Sequence, residues 1–402
     1  MDKSLVDAVA ERISSRDRIT QAFDLSSPTR IVYGPGTIDS LGKLAQELGV
    51  QRALVVSDTG IVAAGHTGRG VAALEAASLE VEVFADIHEN PTTDDVARGL
   101  EVATGYQPDV LIGIGGGSSM DCAKGINFLL TGGGRMQDYW GVGKATEPML
   151  PMIAVPTTAG TGSEAQSFAL ISDAETHVKM ACGDKKAAFR IAVLDPQLTL
   201  TMPHQVTAVT GIDAVAHAVE TAVTSKRSAI SEIYSRAAWV LLADNFRRVF
   251  EEPGDLESRA GMQLGACLAG MAIENSMLGA AHALANPLTA HYGLVHGQAV
   301  GLMLPHVVRY NSDEVDSLYD GLLQALRAQT GMEVAGEGGA GLADYLTGLL
   351  QAAELKTRLG ECGVEFGKLP ELAVDAAKQW TGTFNPRPVD ETTLLEIYNH
   401  AF

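Results

Sequence analysis

Five short runs rich in Val and Ile punctuate the first half of this 402-residue chain, and helical stretches separate them. The runs are TRIVYG at 29–34, RALVVSD at 52–58, LEVEVFAD at 79–86, DVLIGIG at 109–115 and MIAVPT at 152–157. Segments 71–78, 93–104 and 118–130 lie between them and read as helix. Strands spaced by helix-length segments are too far apart for tight hairpins, so the pattern is that of a parallel sheet with crossover helices. The nearly continuous apolar character of the runs fits a sheet covered on both faces.

The texture changes after Asp195-Pro196, where Ala- and Leu-rich segments at 205–224, 228–249 and 256–275 take over and strand signals nearly vanish. The chain is long enough for two cores. We therefore expect an α/β domain over 1–200 and an all-α domain over 201–402. With no repeat and no low-complexity linker between them, the two should pack directly.

A net charge of -20 argues against nucleic acid or an anionic membrane as a partner, since both repel such a surface at long range. Cys122, Cys182, Cys267 and Cys362 form no CxxC pair, so neither a disulfide framework nor a thiolate metal site is indicated. The opening MDKSLVDAVAERISSRD has no apolar core of a secretory signal, and no charge-free apolar run reaches membrane-spanning length. These features predict a cytoplasmic location.

Asp213 and His217 stand four apart in GIDAVAHAVE, a helical stretch, and so project from one face. His282 and His296 follow in AAHALANPLTAHYGLVHGQAV, where Pro287 is expected to break the helix and let the chain bring both rings to one point. Three neutral imidazoles and one carboxylate suit Fe²⁺ or Zn²⁺, whereas Ca²⁺ or Mg²⁺ would want more oxygen ligands.

The run DVLIGIG leads directly into GGSSMDCAKGINFLL, giving a strand, a glycine turn and a helix start. Gly115, Gly116 and Gly117 allow close backbone approach, and Ser118 is placed to cap a helix whose N-terminus can hold a pyrophosphate. The spacing is neither GxGxxG nor that of a Walker A loop. Thr157, Thr158 and Thr161 in PTTAGTGSE offer hydroxyls at the end of a strand. Asp58, ending an earlier strand, can accept from adenosine ribose hydroxyls and would repel a 2′-phosphate, favouring NAD over NADP.

Together, GGGSSMDCAK, PTTAGTGSE, Asp213-x3-His217 and His282-x13-His296 followed by Gly297 resemble the iron-dependent, group III alcohol dehydrogenases. The resemblance runs from RIVYGPGTIDSLG at 30–42 to FNPRPVDETTLLEIY at 384–398. It implies a Rossmann-like N-terminal domain, a helical C-terminal domain, and hydride transfer between a small alcohol and NAD in the cleft between them. By position it gives the four metal ligands to Asp213, His217, His282 and His296, and the pyrophosphate loop to Gly116, Gly117 and Ser118. Thr157 and Thr161 fall near the nicotinamide ribose and phosphates. Lys179, which alone reads as a surface charge, matches a lysine that binds the nicotinamide ribose. Phe168, Ile273, Leu278 and Trp380 fall at substrate-pocket positions, although each alone reads as core. The family is commonly dimeric or larger, and strand 30–33 is a candidate edge for such pairing.

One position departs from the pattern: Asn286 stands where the family usually has a histidine four residues after the third ligand. It either orients substrate through its amide or merely ends a helix before Pro287. His291 is nearby in sequence and reads as a surface residue. Two other activities share much of this pattern, a hydroxyacid–oxoacid transhydrogenase and a dehydroquinate-synthase-type carbocyclic lyase. The lyase needs a basic site for phosphorylated polyols, which Asp213 and the apolar pocket positions disfavour.

Overall fold

The computed structural model describes Phe23, Leu25 and residues 28–402 apart from His177. The charged N-terminal stretch 1–17 lies outside the described residues. The chain begins with β1 (Arg30–Tyr33), α1 (Leu41–Glu47), β2 (Arg52–Val56), α2 (Thr59–Ala63), α3 (His66–Ala76), β3 (Glu80–Phe84) and α4 (Thr93–Tyr106). It continues through β4 (Val110–Gly115), α5 (Gly117–Gly132), β5 (Gly141–Val142), β6 (Met152–Pro156), β7 (Phe168–Ser172), β8 (Lys179–Gly183) and β9 (Ile191–Leu194). Six of these strands form one parallel sheet in the order β1-β9-β6-β4-β2-β3.

Side chains alternate across that sheet into two apolar layers. Leu54, Val56 and Leu111 enter one cluster with Val96, Ile126 and Phe128, whereas Ala53, Val55, Val110 and Ile112 enter the other with Ile38, Leu41 and Leu74. Both faces are covered by helices, which accounts for the unbroken apolar runs in β2, β4 and β6. All five expected strands are present. The sixth, β9, is a four-residue buried strand that the sequence reading passes over. Also unforeseen is a small second sheet in the order β5-β8-β7, with β7 and β8 antiparallel.

Among the described residues no strand follows β9. Helices take over as α6 (His204–Val223), α7 (Ala229–Asn245), α8 (Arg248–Glu251), α9 (Leu256–Glu274), α10 (Ala280–Tyr292), α11 (His296–Thr330), α12 (Gly338–Ala352), α13 (Leu369–Ala377) and α14 (Glu391–Ala401). They share one core, in which Trp239, Phe246, Tyr319 and Tyr398 are fully covered. Among the described residues, α6 is the one helix long and apolar enough to cross a bilayer, and 89% of that apolar window is buried inside the protein.

Two local expectations are corrected here. Pro287 does not break its helix: α10 runs through it to Tyr292 and stops at Gly293, which adopts the left-handed conformation of a C-terminal cap. Ser118 does not cap α5 either. Gly116 occupies that position with no side-chain cap, and the Ser118 hydroxyl instead accepts from the Asn90 N–H at 3.3 Å.

Candidate active site

The α6 helix carries Asp213 and His217 on one face, as their spacing requires, and α10 and α11 bring His282 and His296 to it. Asp213 Oδ1 lies 3.5 Å from His217 Nε2, 3.5 Å from His282 Nε2 and 3.9 Å from His296 Nε2. The rings of His217 and His282 stack with centroids 4.9 Å apart, and His296 stands at 5.4 Å from His282. Asp213, His217 and His282 are each about 5% exposed and form the tightest group, with His296 slightly farther out.

Within this cluster, Asp213 Oδ1 and His282 Nε2 are buried without a hydrogen-bond partner. Buried polar atoms left unpaired are costly, and here they converge with two further imidazole nitrogens on one point. Such a nitrogen-rich, single-carboxylate set fits Fe²⁺ or Zn²⁺.

The electrostatics show what each group carries when no cation is bound. Burial disfavours ionised Asp213, but the three imidazoles outweigh it and hold the carboxyl well below its usual range. Burial pushes His217 down, and burial together with the Lys179 ammonium pushes His296 down to about 3, so both rings are neutral. Burial also opposes charge on His282, but Glu220 and Asp213 prevail and raise it to about 9. His282 therefore carries a second ring proton in addition to the one on Nδ1, and a cation would displace that second proton from Nε2.

On the sheet side, the C-terminal ends of β2, β4 and β6 converge, the place where parallel sheets bind ligands. Gly117 opens α5 where a Cβ would stand 2.6 Å from Thr161 Cγ2, so any larger residue would displace the Thr161 side chain. The Thr157 hydroxyl is buried and unpaired, and Thr158 lies against Gly116. Asp58 caps α2 by accepting from the Ile61 N–H at 3.0 Å, and its other oxygen accepts from Ser119 Oγ at 3.3 Å. Lys179 is half-buried rather than a solvated surface charge. Burial lowers its pKa against the pull of Asp121 and Asp213, and its Nζ donates to Asn90 Oδ1 at 3.3 Å.

Phe168 at the start of β7 and Trp380 stack at 6.0 Å, with the rings 29° from parallel. Neither is a core residue: Phe168 is half-buried and Trp380 is 41% exposed. Ile273 is buried near the end of α9, and Leu278 is half-buried in the loop before α10. His291 is on the surface, paired with Asp375 at 2.9 Å.

Sequence reasoning missed several residues that hold these groups in place. Glu220 lies three residues beyond His217 on the same face of α6 and contacts His282. Asp121 and Lys124, an i, i+3 pair inside an apolar helix, grip the loop that carries Thr161 and Phe168. Lys124 Nζ donates to the Ser163 carbonyl at 2.9 Å and the Phe168 carbonyl at 2.7 Å, while Asp121 accepts from Ser163 Oγ at 2.6 Å. In both cases helical spacing on an apolar face was the available signal.

Residues 28–196 match the iron-containing alcohol dehydrogenase family, and residues 207–402 match the C-terminal part of the Fe-containing alcohol dehydrogenase family. The chain belongs to the iron-containing alcohol dehydrogenases, oxidoreductases that act on alcohols. It is 34% identical over 388 residues to alcohol dehydrogenase 4 of Schizosaccharomyces pombe, covering 96% of this chain and 90% of that protein. The 1,3-propanediol dehydrogenase of Klebsiella pneumoniae is 32% identical, over 94% of this chain and 99% of its own length. Among solved structures, a 1,3-propanediol oxidoreductase superposes with a TM-score of 0.90 at 31% identity, covering 95% of this chain and 100% of that one. A sulfoacetaldehyde reductase from Bifidobacterium kashiwanohense, solved with NAD⁺, superposes with a TM-score of 0.85 at 25% identity, covering 95% of this chain and 99% of that one.

Proposed function

We propose that this protein is an NAD-dependent dehydrogenase of small alcohols, reducing the matching aldehydes in reverse, with Fe²⁺ or Zn²⁺ held by Asp213, His217, His282 and His296. The observation that carries this reading is the convergence of unpaired, buried Asp213 Oδ1 and His282 Nε2 with two more imidazoles. When bound, a divalent ion there supplies Lewis acidity toward an alcohol or aldehyde oxygen.

The chain's own groups do the rest. The uncapped N-terminus of α5, with Gly116, Gly117 and Ser118, receives the pyrophosphate through its free N–H groups. Thr157, Thr158 and Thr161 donate to phosphate and ribose oxygens, and Lys179 donates to the nicotinamide ribose. Asp58 accepts from the adenosine ribose and opposes a 2′-phosphate. Phe168, Ile273, Leu278 and Trp380 form the substrate walls, and the Phe168–Trp380 stack restricts entry by water and by bulky substrates.

Relatives are named for 1,3-propanediol, choline and sulfoacetaldehyde, each a short chain with a hydroxyl or carbonyl on a terminal carbon. We extend that substrate class to this chain. The division between a nucleotide-binding half at 1–200 and a helical half at 201–402 follows the same reading. So do a cytoplasmic location and a homo-oligomer paired through the edge strand β1. Metal analysis of anaerobically purified protein, with an alcohol and aldehyde panel using NAD(H), tests the central claim. Full activity in chelator-stripped protein overturns it.

A further inference from the structure

Glu220 lies outside the donor set, yet its carboxylate is tied to it. Asp213, His217 and Glu220 are spaced four and three apart along α6 and share one face. Glu220 is only 4% exposed. Its Oε1 accepts from the Ala281 N–H at 2.7 Å, and its Oε2 accepts from His282 Nδ1 at 2.5 Å. Both donors belong to the first turn of α10, whose N-cap Gly279 brings no side chain of its own. A Cβ at Gly279 would stand 3.1 Å from Glu220 Oε1, a tight contact that glycine avoids.

The bond to Nδ1 has a consequence for the opposite nitrogen. A ring that donates from Nδ1 keeps its lone pair on Nε2 when it carries a single proton, and Nε2 is the atom facing Asp213 at 3.5 Å. His217 Nδ1 and His296 Nδ1 are buried without such a partner. Among the described residues, His282 is thus the one imidazole of the cluster whose rotation and tautomer are fixed by a carboxylate.

We propose that Glu220 is the positioning residue of the metal centre: it seats the first turn of α10 and presents His282 Nε2 to the ion. The proposal rests on the metal reading given above. Carboxylates behind ligating histidines typically raise metal affinity by about 10–100-fold.

Co²⁺ titration of metal-stripped protein against a chromophoric chelator tests it, with thermal unfolding of the metal-free protein followed in parallel. Glu220→Gln should bind Co²⁺ about 10–100-fold more weakly, because one amide oxygen cannot serve both donors and its NH₂ group faces the other. Glu220→Asp, one methylene shorter, withdraws its oxygens from both donors and should also lose affinity. Asn385→Ala is the structural control. Asn385 Oδ1 accepts from the neighbouring Ala280 N–H at 3.3 Å without touching His282, so its loss should lower the melting temperature and spare Co²⁺ affinity. Parent-level affinity in Glu220→Gln or Glu220→Asp overturns the proposal, as does an equal loss in Asn385→Ala. Absence of stoichiometric Co²⁺ binding by the parent overturns the metal reading itself, a result distinct from variants that bind as well as a binding-competent parent.

Discussion

Asn286 Nδ2 donates to Gln379 Oε1 at 3.0 Å, joining the middle of α10 to the residue just before Trp380. The amide therefore has a tertiary partner and is not there to end a helix, since α10 continues for six residues beyond it. Through Gln379 it steadies the segment that presents Trp380 to Phe168. Asn286→Ala should raise KM for the alcohol, with kcat nearly unchanged, by the equivalent of about 0.5–1.5 kcal/mol for one lost hydrogen bond. Steady-state kinetics check this, and an unchanged KM would leave the Asn286–Gln379 bond without a role in substrate binding.

His282→Ala removes one donor nitrogen and leaves Glu220 buried without its imidazole. Metal content should fall well below one ion per chain and turnover should fall with it, while the far-ultraviolet circular dichroism stays that of the parent. Elemental analysis after dialysis gives the answer directly. Retention of one ion per chain would remove His282 from the donor set.

Asp58→Gly should improve the use of NADP by about 1–3 kcal/mol in transition-state terms, because a carboxylate no longer opposes the 2′-phosphate. The same change removes the side-chain cap on α2, but glycine is itself a tolerated N-cap, so the stability cost should be only about a few tenths of a kcal/mol. Comparing kcat/KM for the two dinucleotides, alongside melting temperatures, separates the effects. Loss of stability with no change in cofactor preference would confine Asp58 to capping.

Glu164 is 3% exposed, and burial pushes its pKa up from 4.5 to about 7. Because the folded value is the higher one, the folded chain holds this proton after the unfolded chain has released it. The contribution of Glu164 to stability therefore falls as pH rises from about 4.5 to about 7, by about 3 kcal/mol in total. Glu164→Gln carries no such proton, so the variant should gain on the parent between pH 4 and pH 8 in chemical denaturation. A gap that does not change with pH would mean the carboxyl ionises as in water.

Gly297 follows His296, and a Cβ there would stand 1.9 Å from the Val209 carbonyl oxygen on α6. Gly297→Ala must push α11 away from α6, carrying His296 away from Asp213. A loss of at least about 1–3 kcal/mol is expected, typical of overpacking, together with weaker metal retention. Thermal unfolding and metal analysis of one preparation test both halves of this prediction.

The parallel sheet was legible because β2, β4 and β6 are buried on both faces and read as plain apolar runs. The strand β9 was not, since its residues run directly into Asp195-Pro196, where the change to helical texture masks a short strand. Pro287 misled because the local rule weighs only the backbone, where an interior proline costs about 3 kcal/mol. Leu284 and Leu288 on either side of it are fully buried, and such side chains contribute about 1.5–3 kcal/mol each, enough to carry the helix through. The Asp213 to His296 cluster was legible from residue types and spacing. Glu220 was not read as part of it, because the groups it holds, His282 Nδ1 and the Ala281 N–H, lie some sixty residues away in sequence.

Asp213, His217, His282 and His296 all come from α6, α10 and α11, whereas the glycine turn, Thr157 and Asp58 sit at strand ends of the sheet. On the proposed reading, the two halves of the chain would therefore hold different groups, the helices an ion and the sheet a dinucleotide. Under the proposed function, a substitution confined to the helices is expected to show first in ion retention, and one at the strand ends in the choice of dinucleotide.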